Sequence, residues 1–516
     1  MLTITNLNVA WLELLCFGGV TVAVYLAKQV VIKKNPGPYP PGPRGWPLIG
    51  NILDMPRSKP WLTFTEWGDI THIEVLGRHI IVLNSVKTAI EMMDSKSTLY
   101  SDRPVLPMAG ELVGWKYSLP FLPYGRSFRQ QRKKIHRVIG SRAAMDVYNE
   151  TEEVETRRFL KRVLAKPDQL QDHIRHTAVA VVLRITHGYE VQENNDPWVD
   201  LANRVTENCS QASAPGAFMV DILPFLAKVP AWFPGAGFKR IAREWRGTLE
   251  QMVSTPHKFV KDQMVADIAP VSFTSNLLKG GDVSAEEDHV VKWSAFSIYA
   301  GGSDTTISAV YSLFLAMTLF PDVQKKAQAE IDAVVGHDRL PSFADRDSLP
   351  YTNALVKEVL RWNAIFPTGF PHCVAEDDIH DGYYIPKGSL VMPNLWFMLN
   401  DPRTYANPSQ FNPERFLAKD GKEPETEPST MCFGFGRRQA QNCICPGLHL
   451  ADASIWISTA MSLAVFDISK VVENGVEITP EVDPLPGIAS HPKPFKCSIK
   501  PRSATALALI EQHANY

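Results

Sequence analysis

Apolar residues recur every three to four positions along most of this chain, the spacing of helices that bury one face. On that pattern helices are expected over residues 86–93, 126–139, 145–164, 174–186, 238–261, 285–319 and 321–335, with another beginning near Gly447. Short apolar or alternating runs at 70–75 and 80–83, around 383–392 and in the C-terminal tail read as strands. Helix dominates the first two-thirds. No internal repeat and no polar low-complexity linker divides residues 52–516, so one large catalytic domain is expected there, mainly α with small β-sheets.

Two segments precede that domain. Residues 9–27 form an apolar stretch just long enough for one tilted membrane helix, interrupted only by Glu13. Lys28, Lys33, Lys34 and Arg44 follow it and no Lys or Arg precedes it, which by the positive-inside rule places the rest of the chain in the cytoplasm. A cleaved signal peptide is the competing reading, and the missing basic n-region speaks against it. Residues 1–28 are therefore read as a membrane anchor. Residues 29–51, with Asn35-Pro36-Gly37-Pro38-Tyr39-Pro40-Pro41 among them, are read as a stiff proline-rich hinge. The sequons at Asn149 and Asn208 then lie on the wrong side of the membrane for glycosylation and read as chance matches.

Composition narrows the chemistry. A chain of 516 residues, 45% of them apolar, can bury a large core, and a formal charge of −2 without a long basic run excludes a nucleic-acid partner held by phosphate contacts. The 7 cysteines are odd in number and mostly scattered, which fits a reducing compartment and not a disulfide framework.

Three stretches carry candidate chemistry. The apolar segment 294–319 has Gly301-Gly302-Ser303-Asp304-Thr305-Thr306 near its centre, where each glycine weakens a helix by about 1 kcal/mol and buried Asp and Thr need partners. The glycines could serve close helix packing with the hydroxyls bonded back to carbonyls. Alternatively they could open a groove over a ligand, with Asp304 as proton donor and Thr305 holding water. In Glu358-Val359-Leu360-Arg361 the spacing puts carboxylate and guanidinium on one helix face. A solvated surface pair is the plain reading. The apolar neighbours Leu355, Val356 and Trp362 favour a buried structural pair, with Arg415 as third member. Finally, Cys445-Pro446-Gly447 opens a helix after the glycine-rich Phe433-Gly434-Phe435-Gly436. A thiolate at a helix N-terminus, surrounded by backbone N–H groups, can bind iron and push electron density that favours O–O cleavage. A redox or zinc half-site at Cys443 and Cys445 is the alternative, unaccompanied by a second cysteine pair or a His cluster.

Taken in order, the hinge, Gly-Gly-x-Asp-Thr-Thr, Glu-x-x-Arg, Pro413-Glu414-Arg415-Phe416 and the cysteine loop resemble the cytochrome P-450 haem-thiolate monooxygenases over essentially the whole chain. The segments 370–378, 382–388 and 394–401 resemble fungal members of the O-methylsterigmatocystin oxidoreductase type, and 60–64 and 230–235 are similar to mushroom relatives acting on terpenoids or indole alkaloids. The resemblance implies the cytochrome P-450 fold and haem b, with Cys445 as the iron ligand. It implies that Thr305 and Asp304 govern proton delivery during O₂ reduction, that Glu358, Arg361 and Arg415 lock the fold, and that Arg132, His372, Arg438 and Phe433 hold the haem. The implied reaction is insertion of one oxygen atom of O₂ into a lipophilic secondary metabolite, a terpenoid in first place, with polyketides and indole alkaloids as other fits. The implied partners are NADPH-cytochrome P-450 reductase, with cytochrome b5 as a second donor, and the endoplasmic reticulum membrane, crossed once with the catalytic domain cytosolic. Pocket walls are expected from 101–124, 208–225, 296–305, 365–370 and 485–490.

Two departures qualify this. Phe128 stands where many members have a tryptophan that bonds a haem propionate, so weaker haem retention is expected. Gln439-Ala440-Gln441-Asn442-Cys443 lengthens the cysteine loop and puts Ala440 where the ligand would fall; Cys445 is preferred to Cys443 because Pro446-Gly447 and a helix start follow it. Either an extruded surface loop or an in-frame splicing or gene-model error accounts for those five residues. A haem-free, inactive, membrane-tethered binding protein is the alternative function. A haem protein that isomerises or dehydrates without a reductase is a third.

Overall fold

The computed structural model describes residues 35–56, 58–214, 216–280, 283–419, 421–436 and 445–512. The expected anchor, Lys28, Lys33 and Lys34, Arg438 and the five residues Gln439 to Cys443 lie outside the described residues.

One helix organises the core. Ala285–Leu319 starts at Ser284, whose side chain accepts from the Glu287 N–H, and carries Glu286, Glu287 and Asp288 in its first turn, where the helix dipole favours them. At 1.5 Å per residue it is about 50 Å long. Pro321 stops it, and the following helix, Pro321–Val334, leaves at 107°. Helices Arg126–Ile139, Leu170–His187 and Leu448–Val465 pack along it, the last also against Asn149–Ala165 and Pro350–Trp362. Phe314, Met317, Leu355, Trp456 and Ile457 sit among the buried side chains of this core.

The strands form small sheets to one side. β1 (Ile70–Val75) and β2 (Arg78–Leu83) make an antiparallel hairpin whose turn, Leu76-Gly77, has both φ angles positive, at 48° and 81°. β3 (His372–Cys373), β4 (Asp378–His380), β5 (Tyr383–Ile385) and β6 (Leu390–Pro393) follow, and the larger sheet has the order β1-β2-β6-β3, with β6 parallel to β2. β7 (Phe466–Ser469) pairs with the C-terminal β10 (Ser498–Pro501), and β8 (Val471–Glu473) with β9 (Val476–Ile478).

Several expected boundaries shift. The helix expected over 86–93 is a short turn, Val86–Ala89, that widens into a π-turn at Ile90–Ser95. The one expected over 145–164 breaks at a 3₁₀ turn, and its long part is Asn149–Ala165. Helix Pro197–Ser213 was not expected at all. Among the described residues, Leu448–Val465 is long and apolar enough to cross a membrane, yet most of it is buried against neighbouring helices.

Candidate active site

Gly301 and Gly302 are adjacent in the central helix and face different surroundings. A Cβ built on Gly302 would lie 3.2 Å from Val182 Cγ2 and 3.5 Å from Leu450 Cδ2, so this glycine lets three helices meet. A Cβ on Gly301 would meet nothing within 4 Å. Gly301 is exposed and Thr305 half-buried although Trp293–Tyr299 and Thr306–Thr318 on either side are buried, so this step of a core helix opens onto the cavity that both residues line. Gly302 thus serves close helix packing, and Gly301 leaves the open space that a groove would need.

Thr305 Oγ1 donates to the Gly301 carbonyl at 2.7 Å, which leaves its oxygen lone pairs for an incoming donor. Asp304 Oδ1 lies 3.1 Å from His491 Nε2. Gly301, Asp304, Thr305 and His491 line one cavity of about 380 Å³. Each of the five expected wall segments contributes to it, including Trp115 and Phe121, Cys209, Tyr299, Phe366 and Phe370, and Leu485. Burial pushes the Cys209 thiol in that wall up to about 12, so it stays protonated.

The cavity also has walls that sequence reading missed. Gln171 and Arg175 come from Leu170–His187, and Asn203, Thr206 and Glu207 from Pro197–Ser213. A start signal for the second helix was present, since Asp196 accepts from the Trp198 and Val199 N–H groups and Pro197 occupies the first turn. His491 had no such signal.

The cysteine loop is fixed at both stems. Gly434 and Gly436 have φ of 89° and 139°, which only glycine adopts without strain, and the Gly436 N–H donates to Asp94 on the π-turn. The Cys445 N–H donates to the Phe433 carbonyl at 3.1 Å, and the Leu448 N–H to the Cys445 carbonyl at 3.3 Å. Cys445 is thereby tied by its backbone to Phe433, on the near side of the loop. Burial pushes the Cys445 thiol up, opposed by the Gly447 N–H and the Arg132 charge. Among the described residues Cys445 retains accessible surface.

Arg132 is buried on Arg126–Ile139, its guanidinium carbon 5.9 Å from the Phe128 ring, and a phenyl ring offers no N–H beside it. His372 Nδ1 lies 2.6 Å from the Tyr100 carbonyl. Burial and then the Arg103 charge hold its imidazole well below the usual range, hence neutral; an incoming carboxylate would reverse that bias.

Glu358, Arg361 and Arg415 come together as one buried group. Arg361 Nε and Nη2 donate to the two Glu358 oxygens at 2.7 and 2.8 Å, and Arg415 Nε to Oε1 at 3.2 Å. Arg361 also reaches the Leu399 and Pro408 carbonyls at 2.9 and 2.8 Å, and Arg415 pairs with Glu425 at 2.6 Å. Every charge has partners, so the group stitches Pro350–Trp362 to the loops at 399–415; removing one member would cost about 3–5 kcal/mol.

These residues fit haem. Cys445 lies just before a helix that packs at Gly302 beside an open helix step, Arg132 offers a cationic donor suited to a carboxylate, and His372 would become a second one on protonation.

The comparisons agree. The family profile described as Cytochrome P450 matches residues 40–499. Cytochrome P450 monooxygenase 208 of Postia placenta is 53% identical over 478 residues, 92% of each chain. Cytochrome P450 monooxygenase claR of Ampulloclitocybe clavipes is 46% identical over 95% of this chain and 91% of its own, and tryptamine 4-monooxygenase of Psilocybe cyanescens 38% identical over 91% and 94%. With that match spanning nearly the whole domain, the chain belongs to the cytochrome P450 family, monooxygenases that bind haem iron through a cysteine thiolate.

Proposed function

We propose that this protein inserts one oxygen atom of O₂ into a small lipophilic secondary metabolite, with Cys445 as the iron ligand. The observation that carries the reading is the packing of the Cys445 helix against Gly302, one residue from the open step at Gly301 and Thr305. When bound, haem supplies the one-electron iron chemistry that reduces O₂. Arg132 and His372 would hold its carboxylates, with Arg438, outside the described residues, as a third donor; Phe433 fixes Cys445 through its carbonyl. Thr305 accepts and orients a proton donor beside the cavity, and Asp304 carries protons toward it.

Substrate preference follows from the walls. Trp115, Phe121, Phe366, Phe370 and Ile488 are apolar, while Asn203, Thr206 and Glu207 are polar, which suits a lipophilic skeleton with one polar end. A terpenoid alcohol is the preferred class; polyketides and indole alkaloids share the pattern. Members of the family take electrons from a redox partner, here NADPH-cytochrome P-450 reductase, with cytochrome b5 as a second donor. The exposed Met219, Phe225, Trp232 and Phe233 supplement the 1–28 anchor as a membrane-facing patch, in keeping with a single-pass endoplasmic reticulum protein.

The test is spectroscopic. Reduced wild type and Cys443→Ser should give the long-wavelength Soret band of thiolate-bound haem with carbon monoxide, and Cys445→Ser should not. Loss of the band in Cys443→Ser alone reassigns the ligand, and folded wild type without haem rejects the reading.

A further inference from the structure

Asp304 is held by a residue from the far end of the chain. His491 brings Nε2 to 3.1 Å from Asp304 Oδ1, on a segment that closes on itself through the Leu485 N–H to His491 carbonyl bond at 2.7 Å. That segment is tied to the site twice more. The Ser490 N–H donates to the Ile365 carbonyl at 2.7 Å, and Ser308 Oγ, one helical turn beyond Asp304, donates to the Ser490 carbonyl at 2.6 Å. The imidazole therefore reaches the carboxylate on a backbone bound to the same helix face.

The other ring nitrogen distinguishes a clamp from a shuttle. His491 Nδ1 is buried and has no hydrogen-bond partner among the described residues. The contact with a carboxylate requires a proton on Nε2, so Nε2 is the donor to Asp304. A histidine that relayed protons would need a donor on its Nδ1 side, and among the described residues none lies within hydrogen-bond reach. Asp304 itself lines the cavity together with Arg175, Thr206 and Glu207.

We propose that His491 is a positioning residue whose Nε2–H pins Asp304 Oδ1, so that the second carboxylate oxygen faces the cavity and protons enter along the Arg175, Thr206 and Glu207 wall. This rests on the monooxygenase reading and adds to it a part that the Asp304-Thr305 pair does not contain.

The experiment uses the full haem-loaded chain as wild type, His491→Leu, His491→Gln, Asp304→Asn and the His491→Leu/Asp304→Asn double variant. The carbon monoxide band is recorded first, then Tm, KM, and product and peroxide formed per NADPH oxidised. His491→Leu should keep the band and a KM within about twofold of wild type, while product per NADPH falls about tenfold and peroxide rises. Glutamine keeps an N–H donor at the Nε2 position and should restore most of the coupling. The Tm losses of His491→Leu and Asp304→Asn should exceed that of the double variant when summed. Unchanged coupling with additive Tm losses overturns the proposal. So does a glutamine variant as uncoupled as leucine, which would mean that the ring relays protons. Absence of the band in wild type rejects the monooxygenase reading instead, and the Tm comparison still decides whether His491 holds Asp304.

Discussion

Gly301 and Gly302 have opposite surroundings, and the difference can be measured. Alanine normally stabilises a helix interior by about 1 kcal/mol relative to glycine. Gly301→Ala has open space for its methyl and should raise Tm, while narrowing the cavity and changing the substrate KM. In Gly302→Ala the methyl would sit 3.2 Å from Val182, so the propensity gain is offset and Tm should stay level or fall. Equal Tm changes in the two variants would contradict this assignment. Sequence reading raised packing and groove as alternatives for the pair but could not divide them, because the division depends on Val182 and Leu450, which lie far away in the chain.

At the level of elements, the Cys445 helix is pinned by a pH-sensitive contact. Ser454 Oγ lies 2.8 and 2.9 Å from the two oxygens of the buried Glu152. Burial pushes the Glu152 carboxyl up to about 8, assisted by the Glu155 charge and opposed by the Ser454 hydroxyl. The native protein then keeps Glu152 protonated at neutrality, whereas the unfolded chain ionises it near 4.5. This contribution to stability is fully present below about 4.5 and is lost as pH rises through about 8. Glu152→Gln should flatten the decline of Tm between those values, and an unchanged slope would count against a neutral Glu152. Elements were legible where the apolar period was clear: Arg126–Ile139 and Ala285–Leu319 lie where the sequence pattern predicts them. The π-turn at Ile90–Ser95 was not legible, since its extra residue per turn leaves the apolar spacing of a helix almost unchanged. Helix Pro197–Ser213 was missed because Asn203, Thr206, Glu207 and Ser210 break the apolar stripe, and all four line the cavity described above.

For the whole molecule, the five inserted residues pose a question that deletion answers. Because the Cys445 N–H returns to the Phe433 carbonyl, deleting Gln439 to Cys443 should leave the carbon monoxide band in place and haem content near that of wild type. Loss of the band on deletion would show that the loop itself helps hold the haem. Cys445, Thr305 and the Glu358-Arg361-Arg415 group were visible as motifs because each lies in a short run of unusual residues. His491 was not, since its significance arises only when the chain closes on Asp304, 187 residues earlier in sequence.

The helix Leu448–Val465 has a consequence for how the protein is made. It is apolar enough to span a membrane, and in a membrane-bound ribosome's product such a segment is at risk of insertion. Asn149–Ala165, Ala285–Leu319, Pro321–Val334 and Pro350–Trp362, which supply most of its packing, precede it, and Ala504–Gln512 follows, so during N-to-C synthesis most of the groove that receives it is made before it emerges. The same order makes Cys445 one of the last parts of the site to arrive. Haem capture thus becomes a late checkpoint in biogenesis, reached only after most of the groove that receives this helix exists.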